Sequence, residues 1–273
     1  QIKMSDTFYT NIALYGNKVL LRGFFDKKPV QQKIDFNPTL YLPTKKTTEF
    51  RTLEGEYVEP VKPGSMGDCR TFINKYKDVS GFRIYGNTDY VYQFIGKISP
   101  KEVDYDYSLI KVATFDIETT CENGFPVIDD PVESVIAITL DVNGWKYVFG
   151  LGDFKIEEDK VKYWSFEEEE DLLRCFLDCW ELESPHIVTG WNIRFFDIPY
   201  LVNRIRKILG EKEANRLSPW KLIKERTINK MNRDHSVYDL VGISTLDYYE
   251  LYTTFTYVNQ ESNRLDHIAH VEL

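Results

Sequence analysis

Apolar and polar positions alternate with a period of two over residues 7–14 and again over 18–25, on either side of Tyr15-Gly16-Asn17-Lys18. Period two sends successive side chains to opposite faces of a strand, and Gly-Asn at the break suits a tight turn, so a β-hairpin is predicted. A further strand is expected near Gln32 to Leu42, ending at Pro43, which has no N–H to donate to a ladder. Asp68 to Tyr76 reads as helix and Tyr90 to Ile98 as extended chain, together a small β-rich α+β domain over residues 1–105. From about residue 106 the order changes. Strands are expected at 108–116, 134–142 and 145–151, a helix at 166–182, a strand at 186–191, a helix at 197–209 and a strand at 243–249. Arg226 to Val241 reads as an extra hairpin with Asn232-Arg233-Asp234-His235 at its tip. The second domain, 106–273, is therefore α/β with a mixed sheet.

Composition supports two cores, since 42% of the 273 residues are apolar and 15% aromatic. There is no apolar run of about 18 residues and no signal-peptide pattern, so a soluble cytoplasmic protein without a membrane partner is expected. Cys69, Cys121, Cys175 and Cys179 lack paired metal spacing and read as reduced packing residues. His267 and His270 have no Cys or acidic partner at a recognisable offset and read as solvated helix positions. A net charge of −9 argues against nucleic acid until its distribution is considered. Between Asn203 and Arg233, Arg204, Arg206, Lys207, Lys212, Arg216, Lys221, Lys224, Arg226, Lys230 and Arg233 face only Glu211, Glu213 and Glu225. Such a stretch could hold a phosphate backbone or be a solvated helix and loop. The acidic stretch from Glu157 to Glu183, with its run Glu167 to Asp171, reads as an outward helix start, because acids favour a helix N-terminus.

The candidate chemistry lies at Asp116-Ile117-Glu118, which closes the apolar run Leu109 to Phe115. Residues two apart share a strand face, so the two carboxylates project together while Ile117 enters the core. Their repulsion raises the pKa of one unless a cation neutralises it, and hard divalent ions prefer oxygen ligands. Downstream, Thr189-Gly190-Trp191-Asn192-Ile193-Arg194-Phe195-Phe196-Asp197 runs from a strand into a helix and offers a further carboxylate in Asp197. Taken singly, Asp-x-Glu can be solvated surface and Asp197 a helix cap; taken together they read as a metal-dependent nuclease site. Phosphodiester hydrolysis by two ions about 4 Å apart needs more than two side chains to hold them.

These residues resemble the first two exonuclease motifs of family B DNA polymerases, which carry a DEDD-type proofreading 3′–5′ exonuclease. Gly124-Phe125-Pro126, Arg216-Leu217-Ser218-Pro219 and Gly242 to Tyr248 are similar to the replicative polymerases of tailed bacteriophages, and the likeness covers nearly the whole chain. The order of strands and helices matches a ribonuclease-H-like sheet. The resemblance implies two ions, Mg²⁺ or Mn²⁺, with Asp116 bridging both, Glu118 on the ion that activates water and Asp197 serving the other. It also implies that Asn192 touches the 3′-terminal nucleotide, that Phe125 stacks on an unpaired terminal base and that Phe196 lies with them at the substrate. Without the resemblance, Asn192 serves equally as a loop turn residue and Phe125 as a core aromatic.

The implied substrate is a single-stranded DNA 3′ end presented by primer–template DNA, with the hairpin near 226–241 parting primer from template. Further partners are the rest of the polymerase chain and, through it, a sliding clamp, in the cytoplasm of a phage-infected cell. The family's third motif, Tyr-x-x-x-Asp, does not occur after the last expected strand, because neither Asp247 nor Asp266 has a Tyr four residues before it. With Gln1 in place of an initiator Met, the chain is expected to be the N-terminal part of a longer polymerase, with weak nuclease activity or none of its own. Two other readings are a free-standing DEDD exonuclease acting on RNA or DNA and a nucleic-acid-binding module without catalysis.

Overall fold

The hairpin and sheet patterns become strands in a computed structural model that describes residues 7–99, 102–154, 158–230, 233–258 and 260–273. Gln1, Glu157 and Asn232, the first residue of the expected hairpin tip, lie outside the described residues. The chain divides into two compact units, Gln1–Tyr107 and Ser108–Leu273. Among the described residues no helix is long and apolar enough to cross a membrane.

In the first unit β1 (Phe8–Tyr15), β2 (Lys18–Phe25) and β3 (Lys28–Asp35) form an antiparallel meander, and β4 (Leu40–Pro43) pairs antiparallel with β5 (Val58–Val61). The single strand expected from Gln32 to Leu42 is thus two strands in different sheets. Helix α1 (Met66–Tyr76) starts at a capping box in which the Ser65 hydroxyl accepts from Asp68 N and the Asp68 carboxylate accepts from Ser65 N. Tyr90–Ile98, expected to be extended, is helix α2. The Asp89 carboxylate caps it by accepting from Val91 N at 3.1 Å, and Tyr90 and Phe94, one turn apart, both enter the core. A nine-residue apolar run fits either period, and burial of this i, i+4 pair against Phe36, Leu40 and Met66 decides for helix.

The second unit is mixed α/β around a six-stranded sheet. Its elements are β6 (Val112–Thr119), β7 (Val135–Val142), β8 (Trp145–Leu151), β9 (Val161–Phe166), α3 (Glu169–Glu183), β10 (Ile187–Gly190), α4 (Asp197–Leu209), α5 (Glu211–Ala214), β11 (Ile223–Lys230), β12 (Arg233–Leu240), β13 (Ser244–Asp247), α6 (Tyr248–Phe255) and α7 (Leu265–Glu272). The strand order is β13-β10-β6-β7-β8-β9. β13, β10 and β6 run parallel, β7 and β8 continue antiparallel, and β9 is parallel to β8. Strand β9 and helices α6 and α7 add to the elements expected from periodicity.

Helix α3 packs Leu172, Leu173, Phe176, Leu177 and Trp180 against the sheet's Ala113, Phe115 and Val188, and α4 adds Ile198, Leu201, Val202 and Ile205 to the same core. Burial of these apolar faces holds the central strand β6 rigidly, so whatever projects from its C-terminal end has a fixed origin. The hairpin β11–β12 is present, and its His235 ring meets Phe195 edge-on at 5.5 Å. Cys69 is buried and Cys175 and Cys179 are half-buried, whereas Cys121 is exposed, so it does not pack as expected.

Candidate active site

Strand β6 keeps strict alternation: Ala113, Phe115 and Ile117 are buried and Asp116 and Glu118 face outward together. Beside them β10 ends at Gly190, where a Cβ would lie 2.6 Å from the Phe115 carbonyl oxygen, so only glycine lets the chain turn this close to β6. The turn continues through Asn192, which holds a left-handed φ of 64°, and its carbonyl accepts from Phe195 N and Phe196 N. Helix α4 then starts at Asp197, and no side chain caps it at Phe196.

Asp197 is 4% exposed, and one of its carboxylate oxygens accepts from the Ile117 N–H at 3.2 Å. That bond joins the helix start to the backbone between Asp116 and Glu118. Burial, and next the Asp116 charge, push the Asp197 carboxyl up to about 7, and Asp247 adds to the rise. Asp116 is raised as well, by burial and then by Glu118. All three expected carboxylates line one open cavity of about 670 Å³, together with Asn192, Phe196, Trp191, Tyr249, Arg264 and Asp266. Among the described residues no group of three or more His, Cys, Asp or Glu side chains is arranged to hold a metal ion. The Ile117 N–H holds an Asp197 oxygen against the strand, while repulsion acts against closer approach of the carboxylates.

Phe125 is 82% exposed, which excludes a core role, and its ring meets Phe196 at 5.8 Å; Phe196 in turn stacks on Tyr200 at 5.7 Å. Asn192 is both a turn residue and a cavity residue.

The profile of the DNA polymerase family B exonuclease domain matches residues 71–268. The chain belongs to DNA polymerase family B. It is 31% identical over 97% of its length to the DNA-directed DNA polymerase of Escherichia phage RB69 and, equally, to that of Enterobacteria phage T4. A DNA polymerase catalytic subunit of Alcelaphine herpesvirus 1 is 28% identical over 58% of the chain and 16% of its own length. The chain spans about a third of the length of the two phage polymerases, 33% and 32% respectively.

Within this family B exonuclease domain the basic stretch after Asp197 is not a free cationic stripe. Arg204 pairs with Glu169, Arg206 with Glu211, Lys207 with Asp130, Arg216 with Asp178, Glu181 and Glu213, Lys221 with Glu181, and Arg226 with Asp239. Most of these acids lie outside the 203–233 window, so a local charge balance could not reveal them.

Two further carboxylates hold loops near these residues, Asp247 the turn that lines the cavity and Glu133 the loop that leads to Phe125, and sequence reasoning missed both roles. Asp247 is 3% exposed and accepts from Asn192 N, Arg194 N and Tyr249 N at 2.9–3.0 Å, fixing the turn before α4 while capping α6. An Asp directly ahead of Tyr248-Tyr249-Glu250-Leu251 was a readable helix N-cap signal. Glu133 accepts from the Thr120 hydroxyl, from Asn123 N at 2.7 Å and from Glu122 N at 3.0 Å. The hydroxyl and then the Asn123 N–H hold its carboxyl down at about 2. No local pattern announces that role.

Proposed function

We propose that this unit, ribonuclease-H-like in fold, is the proofreading part of a replicative DNA polymerase, removing mispaired nucleotides in the 3′–5′ direction from single-stranded DNA ends with two divalent metal ions. The observation that carries the reading is Asp197, a buried carboxylate raised to about 7 by burial and by Asp116 in a cavity lined also by Glu118. The candidate donors are all oxygens, and their uncompensated negative charge is what a hard dication relieves, so the set fits Mg²⁺ or Mn²⁺. Asp116, Glu118 and Asp197 would hold the ions. When bound, two such ions supply an activated water and stabilise the departing oxygen of a phosphodiester.

The chain's own residues do the rest. Phe125, exposed and backed by Phe196, offers a face to an unpaired terminal base, an interaction worth about 1–3 kcal/mol per base. Asn192 is on the cavity wall and would meet the terminal nucleotide, and the Ile117 N–H keeps Asp197 turned toward β6. On this reading residues 1–105 are the N-terminal domain and 106–273 the exonuclease domain. Primer–template DNA, the remainder of the polymerase and a sliding clamp are the partners, in the cytoplasm of a phage-infected cell.

A second reading, binding without catalysis, is favoured by the lack of a converged three-ligand group among the described residues. Incubation of a 5′-labelled single-stranded oligonucleotide with the 273-residue chain and Mn²⁺ separates the two. A ladder shortening from the 3′ end, lost in Asp116→Ala, supports the nuclease; binding with no shortening at saturating Mn²⁺, by this chain and by a longer polymerase chain that includes the Tyr-x-x-x-Asp motif, supports the binding module.

A further inference from the structure

We infer that Glu133 is a positioning residue, fixing the loop from Thr120 to Phe125 against helix α4 so that the stacking face of Phe125 stays in register with Asp197. The inference rests on the stacking role proposed above for Phe125. An aromatic ring that is 82% exposed, preceded by Gly124 at φ 104°, gains little fixed orientation from its own packing. Its order has to come from the backbone on either side.

On the N-terminal side Glu133 gathers the Thr120 hydroxyl, the Glu122 N–H and the Asn123 N–H on one carboxylate. The carbonyl of the same residue accepts from the Tyr200 hydroxyl at 2.7 Å, and Tyr200 stacks on Phe196, the neighbour of both Phe125 and Asp197. On the C-terminal side α4 reaches the loop again: Asn203 donates to the Ile128 carbonyl at 3.0 Å and Arg204 to the Pro131 carbonyl at 2.8 Å. The loop and the helix that opens with Asp197 therefore move as one body, with Glu133 as the joint nearest the ring. A site that must set a base on one side chain and its phosphodiester over others tolerates little drift between them, since a misplacement of about 1 Å can cost about a hundredfold in rate.

Glu133→Gln keeps the shape but turns an amide NH₂ toward groups that themselves donate, and Thr120→Val removes one donor more gently. The test compares affinities of the 273-residue chain for a fluorescein-labelled single-stranded DNA and a blunt duplex of the same sequence, in Ca²⁺. Phe125→Ala should reduce the preference for the single strand about tenfold, the size of one lost stacking contact. Glu133→Gln should reduce it by a similar factor, Thr120→Val by less, and Glu133→Gln combined with Phe125→Ala no further than Phe125→Ala alone. Circular dichroism identifies the variants that remain folded; should Glu133→Gln not fold, Thr120→Val carries the test. A folded Glu133→Gln or Thr120→Val that is less stable but keeps the intact preference would overturn the inference, as would fully additive losses in the double variant. If Phe125→Ala itself leaves the preference unchanged, the stacking role fails first and the inference fails with it.

Discussion

Glu133 and Asp197 are carboxylates of one unit with nearly the same exposure, 2% and 4%, and opposite electrostatic fates. Glu133 receives a hydroxyl and two backbone N–H groups and is held down at about 2. Among the described residues Asp197 receives from outside its own helix the Ile117 N–H, stands beside the Asp116 charge, and is pushed up to about 7. Low exposure alone therefore does not decide ionisation: desolvation and then the Asp116 charge lead at Asp197, whereas at Glu133 the hydroxyl and the Asn123 N–H outweigh desolvation. A carboxylate whose lone pairs are filled by the fold acts as a joint, and one left short of donors beside like charge is available to a ligand that brings positive charge.

The largest expected effect tests the shortage at Asp197. An acid whose folded pKa lies above its unfolded value binds more protons when folded, so the stability of the metal-free protein falls as pH rises from about 4 to about 7. From a shift of that size the full penalty above pH 7 is on the order of 4 kcal/mol. Asp197→Asn should remove this slope and raise the urea midpoint of the metal-free protein at pH 8. An unchanged slope would mean that folding does not raise the Asp197 pKa.

A smaller effect is expected at Phe125, whose exposed ring contributes to binding and not to folding. Phe125→Ala should weaken single-stranded DNA binding by about 1–3 kcal/mol and leave the urea midpoint where it was. The signature of Glu133 is a slope confined to acid pH. Its depressed pKa gives stability that is present above the unfolded value of about 4.3 and lost as pH falls through about 2. Glu133→Gln should therefore flatten acid unfolding below pH 4, a window that does not overlap that of Asp197.

What sequence could and could not reveal follows from the reach of each interaction. The face shared by Asp116 and Glu118 is a period-two property of eight consecutive residues, so it was legible, as was the helix opening at Asp197. The helix at Tyr90–Ile98 was not, because nine apolar-rich residues satisfy either period until a core selects one. Glu133 reaches donors 10 to 13 residues away, and Asp247 reaches the Asn192 turn from 55 positions downstream. Neither separation corresponds to a helical or strand repeat. The ion pairs of the basic stretch after Asn203 were hidden for the same reason, since Glu169 and Asp130 reach Arg204 and Lys207 from outside it.

Calorimetric titration of the 273-residue chain with Mn²⁺ at pH 6.5, repeated in buffers of different ionisation enthalpy, reads the relief of Asp197 directly. Metal must displace any proton carried by a carboxyl that sits near 7, so binding should release a substantial fraction of a proton per site, visible as a buffer-dependent enthalpy. Asp116→Ala should abolish binding, and Asp197→Asn should abolish the proton release. Mn²⁺ affinity that survives Asp116→Ala, or binding whose enthalpy is the same in every buffer, would contradict the account.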